Sequence, residues 1–137
     1  MEQKWHDRFM QLASQVGEWS KQERKVGAVV VTSKRKLNGA GYNGPPPEYN
    51  DDTLNNESST FMVIHAEVNA LQNSEGSGLT LFVTSQPCLA CAAAIVASKR
   101  VAEVVMPPVG NPGRWAEAQQ EAIKHLISNG IKVEYNG

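Results

Sequence analysis

The chain has 137 residues, with 13 basic and 14 acidic side chains and a formal net charge of -1. This near balance predicts no bulk attraction for nucleic acid or for an anionic membrane surface. No apolar run approaches the roughly 20 residues of a membrane-spanning helix, and the N-terminus lacks the apolar core of a signal peptide. We therefore expect a single domain over residues 1–137, located in the cytoplasm, with no membrane partner.

The first third of the chain predicts a helix followed by a β-hairpin. Large apolar side chains recur at helical spacing and predict an amphipathic helix packed on a sheet; they are Trp5, Phe9, Leu12, Val16 and Trp19. Residues 26–31 (VGAVVV) predict a buried strand, and residues 37–42 predict its hairpin partner. The basic run at 34–36 between them favours a solvated turn over a binding patch.

Residues 43–60 predict a long irregular loop, because Pro, Asn, Asp, Glu, Ser and Gly dominate there. Loops of this length in a compact domain are usually functional or disordered. The loop leads into His65, so we expect it to cover part of a site there. Its acidic residues Asp51, Asp52 and Glu57 are irregularly spaced, which favours solvated side chains over a cation site.

The remaining chain alternates helices and strands. The predicted order is a helix at 66–72, a strand at 79–84, a helix from 88 to about 100, a strand at 101–106, a breaker segment at 107–113, a helix from Trp115 to 128 and a strand at 131–135. Five strands interleaved with four helices predict an α/β fold, a three-layer α/β/α sandwich around a five-stranded mixed sheet. Ligands of such sheets bind at the carboxyl ends of strands.

Two short stretches carry residues suited to a metal ion, residues 65–67 (His-Ala-Glu) and 87–91 (Pro-Cys-Leu-Ala-Cys). One imidazole and two thiolates suit Zn²⁺, and three protein ligands leave a fourth position for water, as in catalytic zinc sites. Cys88 and Cys91 are three residues apart before an alanine-rich segment, so we expect both sulfurs on the first turn of a helix, whose dipole favours the thiolate. Glu67 is expected to point into the same pocket and to transfer protons without binding the metal.

Three other interpretations of these residues stay open. A closed structural zinc site would want a fourth Cys or His, and His6 and His125 are poorly placed in the sequence to supply it. A redox Cys-x-x-Cys pair is disfavoured by a reducing compartment and by the nearby His-x-Glu. A binding module without activity is disfavoured by the intact Glu67.

The His-x-Glu and Pro-Cys-x-x-Cys pattern is the signature of zinc nucleobase deaminases. The sequence resembles the cytidine deaminase superfamily across nearly the whole chain. Three stretches are similar to its deoxycytidylate (dCMP) deaminase branch, namely residues 26–31 (VGAVVV), 41–44 (GYNG) and 65–70 (HAEVNA). The long connection after Asn43 suits that branch better than the tRNA adenosine deaminases. One departure is Pro-Pro-Pro-Glu at 45–48, where the branch usually has a Pro and then a Gly.

The resemblance implies hydrolytic deamination of dCMP to dUMP, with Glu67 acting first as base and then as acid. The implied zinc ligands are His65, Cys88 and Cys91. A second, cysteine-based zinc site is excluded because the chain has only 2 cysteines. The residues expected to contact the substrate are Asn43, Ala66, Val26 and Gly27, with Arg24, Lys25 and Arg114 as candidates for the phosphate. The alternative for Asn43 is a turn residue before Gly44, and the alternative for each of the three cations is an ordinary surface side chain.

The resemblance also implies partners. The substrate is expected to be a small pyrimidine deoxynucleotide, and the branch is often hexameric and regulated by dCTP and dTTP with Mg²⁺. We therefore expect a homo-oligomer. Alternative substrates of the same motif are dCTP, free cytidine, guanine, or a nucleic acid such as tRNA. The near-neutral charge argues against the nucleic acid.

Overall fold

The computed structural model describes residues 1–45, 63–108 and 116–136. The helices of this part are α1 (Gln3–Gly17), α2 (Ala66–Gln72), α3 (Leu89–Ser98) and α4 (Ala116–Ser128). The strands are β1 (Gly27–Val31), β2 (Leu37–Tyr42), β3 (Leu79–Val83), β4 (Val101–Met106) and β5 (Lys132–Tyr135). The predicted elements are confirmed within one or two residues. The acidic residues of the predicted loop, most of the predicted breaker segment and Trp115 lie outside the described residues.

The five strands form one mixed sheet in the order β2-β1-β3-β4-β5. Strand β1 pairs antiparallel with both β2 and β3, whereas β3, β4 and β5 are parallel. Gly27 is opposite Tyr42 on one side, and Ala28 is opposite Val83 on the other. The start of β1 therefore lies at the same end of the sheet as the carboxyl ends of β2 and β3.

Two hydrophobic clusters cover the two faces of the sheet. Helix α1 packs Phe9, Ala13 and Val16 against one face of the sheet. On that face Phe82 is fully buried, and its ring centroid lies 5.3 Å from that of Phe9. Helices α2, α3 and α4 pack on the opposite face over a larger cluster that includes Leu81. The predicted three-layer α/β/α sandwich is confirmed, with one of the described helices on one side of the sheet and three on the other.

Two glycines allow helices to approach the sheet closely. A Cβ on Gly27 would lie 1.9 Å from the Ala13 carbonyl oxygen and 2.5 Å from the Gly17 nitrogen, so α1 packs with its backbone against β1. A Cβ on Gly41 would lie 2.5 Å from the Ala70 nitrogen, so α2 lies equally close to β2. The position of α2 on the sheet thus depends on the absence of a side chain at Gly41.

The prediction that Leu12 and Trp19 pack on the sheet was wrong. Leu12 is 36% exposed and Trp19 is 61% exposed. Helix α1 ends at Gly17, so the helical spacing that connected Trp19 to the buried face no longer applies. The Trp19 ring instead lies edge-on to the Tyr42 ring, with 6.4 Å between the ring centroids. Within the described residues, none of the helices has the length and apolar character to cross a membrane.

Candidate metal centre and active site

The candidate metal ligands lie at the starts of two helices on the same face of the sheet. His65 is the N-cap of α2 and Cys88 is the N-cap of α3, both with extended backbone. The Cys88 sulfur accepts the backbone N–H of Cys91 at 3.4 Å, which places Cys91 on the first turn of α3. Since α3 follows β3, both sulfurs lie near the carboxyl end of that strand, as the sequence predicts.

The three candidate ligand atoms form a compact group. His65 Nδ1 lies 3.0 Å from Cys91 Sγ and 3.5 Å from Cys88 Sγ. A tetrahedral zinc ion with ordinary bond lengths holds such atoms about 3.5 Å apart. Among the described residues, this is the one group of three or more His, Cys, Asp or Glu side chains that could hold a metal ion. His6 lies beside Glu103 instead, and His125 beside Glu121 on α4.

Burial controls the acidity of the thiol and the carboxyl in this group. Burial, followed by the negative charges of Glu67 and Cys88, raises the pKa of the Cys91 thiol. Such a thiol ionises at neutral pH only when a cation is close, so the donor set fits a divalent metal, and its sulfur and imidazole composition fits Zn²⁺. Burial also raises the pKa of the Glu67 carboxyl, while its own backbone N–H and the charge of His65 oppose the rise.

A cavity of about 160 Å³ opens beside the candidate ligands. Its walls come from the segment before β1, the end of β2, the start of α2 and the segment between β3 and α3. The residues lining it are Arg24, Val26, Asn43, His65, Ala66, Glu67, Ser85, Gln86 and Cys88. Four of the predicted substrate contacts, Arg24, Val26, Asn43 and Ala66, therefore share one cavity with Glu67.

Three other predicted substrate contacts are not brought to this cavity. The Lys25 ammonium points back toward α1 and donates to the Glu18 carbonyl at 3.2 Å. Gly27 serves the packing of α1 on β1 described above. Arg114 lies outside the described residues.

Asn43 is held by the backbone of residues 24 and 26, which also line the cavity. Its Oδ1 accepts the backbone N–H of Val26 at 2.9 Å, and its Nδ2 donates to the carbonyl oxygen of Arg24 at 2.7 Å. The backbone N–H of Asn43 also donates to the Val26 carbonyl at 3.2 Å. Asn43 therefore fastens the Arg24–Val26 segment to the end of β2, a function that the sequence did not reveal.

Ser85 and Gln86 were missed by the sequence analysis. The Ser85 hydroxyl accepts a hydrogen bond from the Arg24 guanidinium. Gln86 Nε2 donates to the Pro107 carbonyl at 3.1 Å, and its Oε1 is buried without a partner among the described residues. The only available signal was their place directly before the Pro-Cys pair at the start of α3.

Buried polar contacts hold α2, which carries Glu67, in place. Asn69 Nδ2 donates to the carbonyl of Tyr42 at 2.9 Å, which ties α2 to the end of β2. At the C-terminal end of α2, the Arg100 guanidinium donates to the Leu71 carbonyl at 3.0 Å and to Ser74 Oγ at 2.8 Å. Glu67 is therefore presented by a helix that is fastened at its middle and at its C-terminal end.

Comparison with known proteins agrees with this geometry. Residues 3–107 match the family described as the cytidine and deoxycytidylate deaminase zinc-binding region. An uncharacterised deaminase of Aliivibrio fischeri is 31% identical over 96% of this chain and 93% of its own length. The deoxycytidylate deaminase of Mycobacterium phage D29 is 35% identical over 75% of this chain and 94% of its own.

A solved structure is similar over the whole fold. The dCMP deaminase of cyanophage S-TIM5, in complex with dCMP and dUMP, is 28% identical with a TM-score of 0.77 and covers 99% of each chain. The family match covers most of the chain and includes His65, Cys88 and Cys91. The residues that the structure brings together are thus part of the region that defines the family. The chain belongs to the zinc-binding cytidine and deoxycytidylate deaminase family, on its deoxycytidylate deaminase branch, and is an enzyme of that family.

Proposed function

We propose that the chain catalyses the hydrolytic deamination of dCMP to dUMP and ammonia. The observation that carries the proposal is the buried Glu67 carboxyl in one cavity with His65 and Cys88, and with Arg24 at its rim. The likeness to a dCMP deaminase that binds dCMP and dUMP supports the choice of substrate.

In this proposal His65, Cys88 and Cys91 hold Zn²⁺. When bound, the ion supplies a Lewis acid that lowers the pKa of water. Glu67 accepts a proton from water as the new C4–O bond forms and delivers it to N3. It then takes the second proton from the hydroxyl on C4 and delivers it to the departing amine as the C4–N bond breaks. The raised pKa of its buried carboxyl suits a group that must both accept and release a proton near neutral pH.

The remaining cavity residues position the nucleotide. Ala66 lines the cavity, and we assign its backbone N–H to the polar edge of the base. Asn43 lines the same cavity and is assigned to the sugar. Arg24, which already bonds Ser85, is the one predicted phosphate contact among the described residues that lines the cavity, so we assign it to the 5′-phosphate.

The experiment that tests this function is ammonia release by zinc-loaded protein on dCMP, dCTP, deoxycytidine, cytidine, guanine, single-stranded DNA and tRNA. We expect dCMP to give the highest kcat/KM. A higher kcat/KM for dCTP than for dCMP would show that the substrate is the triphosphate and would contradict the proposal. Reaction of tRNA or DNA alone would overturn the substrate while leaving the family intact.

We also propose a single cytoplasmic deaminase domain over residues 1–137 that forms a homo-oligomer, a hexamer by the family resemblance, with dCTP and dTTP as effectors together with Mg²⁺. The exposed apolar side chains Leu89 on α3 and Ile127 on α4 support association between copies. Light scattering of the purified protein, and dCMP kinetics with each triphosphate with and without Mg²⁺, test these points. A monomeric mass at working concentration would contradict the assembly.

A further inference from the structure

Ser20 is a buried polar residue in the connection between α1 and β1. It is 3% exposed and does not line the cavity. Its hydroxyl donates to the carbonyl oxygen of Asn43 at 2.7 Å and accepts the backbone N–H of Gln22 at 3.1 Å. One hydroxyl therefore joins the start of the 20–26 connection to the residue that follows β2.

The far end of the same connection is joined to Asn43 as well. The Asn43 side chain holds the N–H of Val26 and the carbonyl of Arg24, as described above. The backbone carbonyl of Asn43 thus accepts the Ser20 hydroxyl, and the Asn43 side chain is hydrogen-bonded to the backbone of residues 24 and 26. The chain between Ser20 and Val26 is closed into a loop with Asn43 at its base, and Arg24 projects from that loop to Ser85.

We propose that Ser20 is a positioning residue of the nucleotide pocket, which acts through Asn43 to fix Arg24 at the rim. This inference rests on the proposed function, since it takes Arg24 as the contact for the 5′-phosphate. Loss of the Ser20 hydroxyl leaves the Asn43 carbonyl and the Gln22 N–H without their partners. Relaxation of the loop then moves the guanidinium away from Ser85, while Glu67 and the candidate zinc ligands keep their own supports on α2 and α3.

The test compares Ser20→Ala with wild type on dCMP and on deoxycytidine, which lacks the phosphate. We expect kcat/KM for dCMP to fall roughly tenfold, mostly through KM, because a guanidinium–phosphate hydrogen bond is weakened. The value for deoxycytidine should fall less than that for dCMP, because this substrate has no phosphate for Arg24 to contact. The zinc content should stay near wild type, and Ser20→Thr should restore dCMP turnover. In the double variant Ser20→Ala with Arg24→Gln, activity should be no lower than with Arg24→Gln alone, since Ser20 acts through Arg24.

Ser98→Ala is the matched control. The Ser98 hydroxyl has the same pattern of bonds, donating to the Ile95 carbonyl and accepting the Arg100 N–H, but lies at the far end of α3. It should leave the ratio of the two kcat/KM values unchanged. If Ser20→Ala does not fold, Ser20→Cys replaces it, because a thiol keeps the volume with a weaker hydrogen bond.

Equal losses on dCMP and deoxycytidine would show that Ser20 is merely structural, and full additivity with Arg24→Gln would show that it does not act through Arg24. Either result overturns the proposal. Wild-type protein that does not deaminate dCMP would instead refute the proposed function. The positioning of the loop would then still be tested by hydrogen exchange, where faster exchange of the Val26 amide in Ser20→Ala supports it and unchanged exchange contradicts it.

Discussion

His65 Nδ1 lies 3.0 Å from Cys91 Sγ, although 26 residues separate them in the chain. Each is placed by its own helix start, His65 as the cap of α2 and Cys91 on the first turn of α3. Their proximity therefore depends on how α2 and α3 are seated on the sheet, and changes in that seating should reach the metal centre.

Glu67→Gln tests proton transfer. The variant keeps the shape of a side chain that is 4% exposed but cannot accept a proton, so we expect kcat to fall by about 10²–10⁴-fold. Zinc content measured by mass spectrometry should equal that of wild type. Glu75→Gln, which changes an exposed carboxylate in the turn after α2, serves as control and should keep full activity. Substantial activity in Glu67→Gln would remove this residue from the reaction.

Cys91→Ser tests the metal centre. Serine replaces a buried sulfur that faces His65, so the variant should lose zinc on gel filtration and lose turnover with it. In wild type, a strong chelator should abolish activity and lower the melting temperature, because an ion that binds only the native state stabilises it. The same chelator should leave the melting temperature of Cys91→Ser unchanged. If the chelator lowered the melting temperature of both proteins equally, the stabilising ion would have to bind at another site.

Gly41→Ala tests the seating of α2. The added Cβ would lie 2.5 Å from the Ala70 nitrogen and 2.9 Å from the Ala66 carbonyl oxygen. The helix must shift, so we expect a loss of roughly 1–3 kcal/mol in the free energy of unfolding together with lower kcat. Gly44→Ala is the matched control, because the nearest atoms among the described residues, those of the Tyr42 ring, would lie 3.7 Å or more from the added Cβ. Urea unfolding should show a change of about 0.5 kcal/mol or less for the control. Equal stability of the two variants would disprove the close contact.

Phe82→Ala tests the face of the sheet away from the site. The ring is fully buried and lies between His6 and Phe9, so its removal should cost about 3–5 kcal/mol of unfolding free energy. The folded protein at low temperature should nevertheless bind zinc and dCMP as wild type does, because the candidate site lies with α2 and α3 on the other face. Phe82→Leu should lose less stability. A large rise in KM at a temperature where the variant is folded would contradict this separation.

Much of the fold could be predicted because it depends on local patterns. The bounds of β2, β4 and α2 agree with the prediction, since turn residues and buried apolar runs mark both ends. His65, Cys88 and Cys91 could be predicted as a group because one imidazole and two thiolates, with this motif spacing, are typical ligands of a zinc ion.

The errors have a different origin. Trp19 was misplaced because the end of α1 is set by contact between Gly17 and β1, which helical spacing does not report. Lys25 was proposed for the phosphate because of its charge, yet its ammonium is engaged by Glu18. Ser20, Ser85 and Gln86 lie in irregular segments, where the partner of each side chain is decided only by the tertiary fold.

The antiparallel pairing of β1 with β3 has a consequence for the order of folding. It joins a hairpin with α2, which carries His65, to the parallel β3-α3-β4 unit, which carries both cysteines. The contacts within each half, such as Gly41 with Ala70 and Leu79 with Val101, join residues nearer in sequence than the pairing of Ala28 with Val83 does. The pairing between the halves therefore requires a longer loop to close. The ion can meet all of its ligands only after that late step, and it then acts as a cross-link that slows separation of the two halves. Zinc should accordingly slow unfolding far more than it speeds folding.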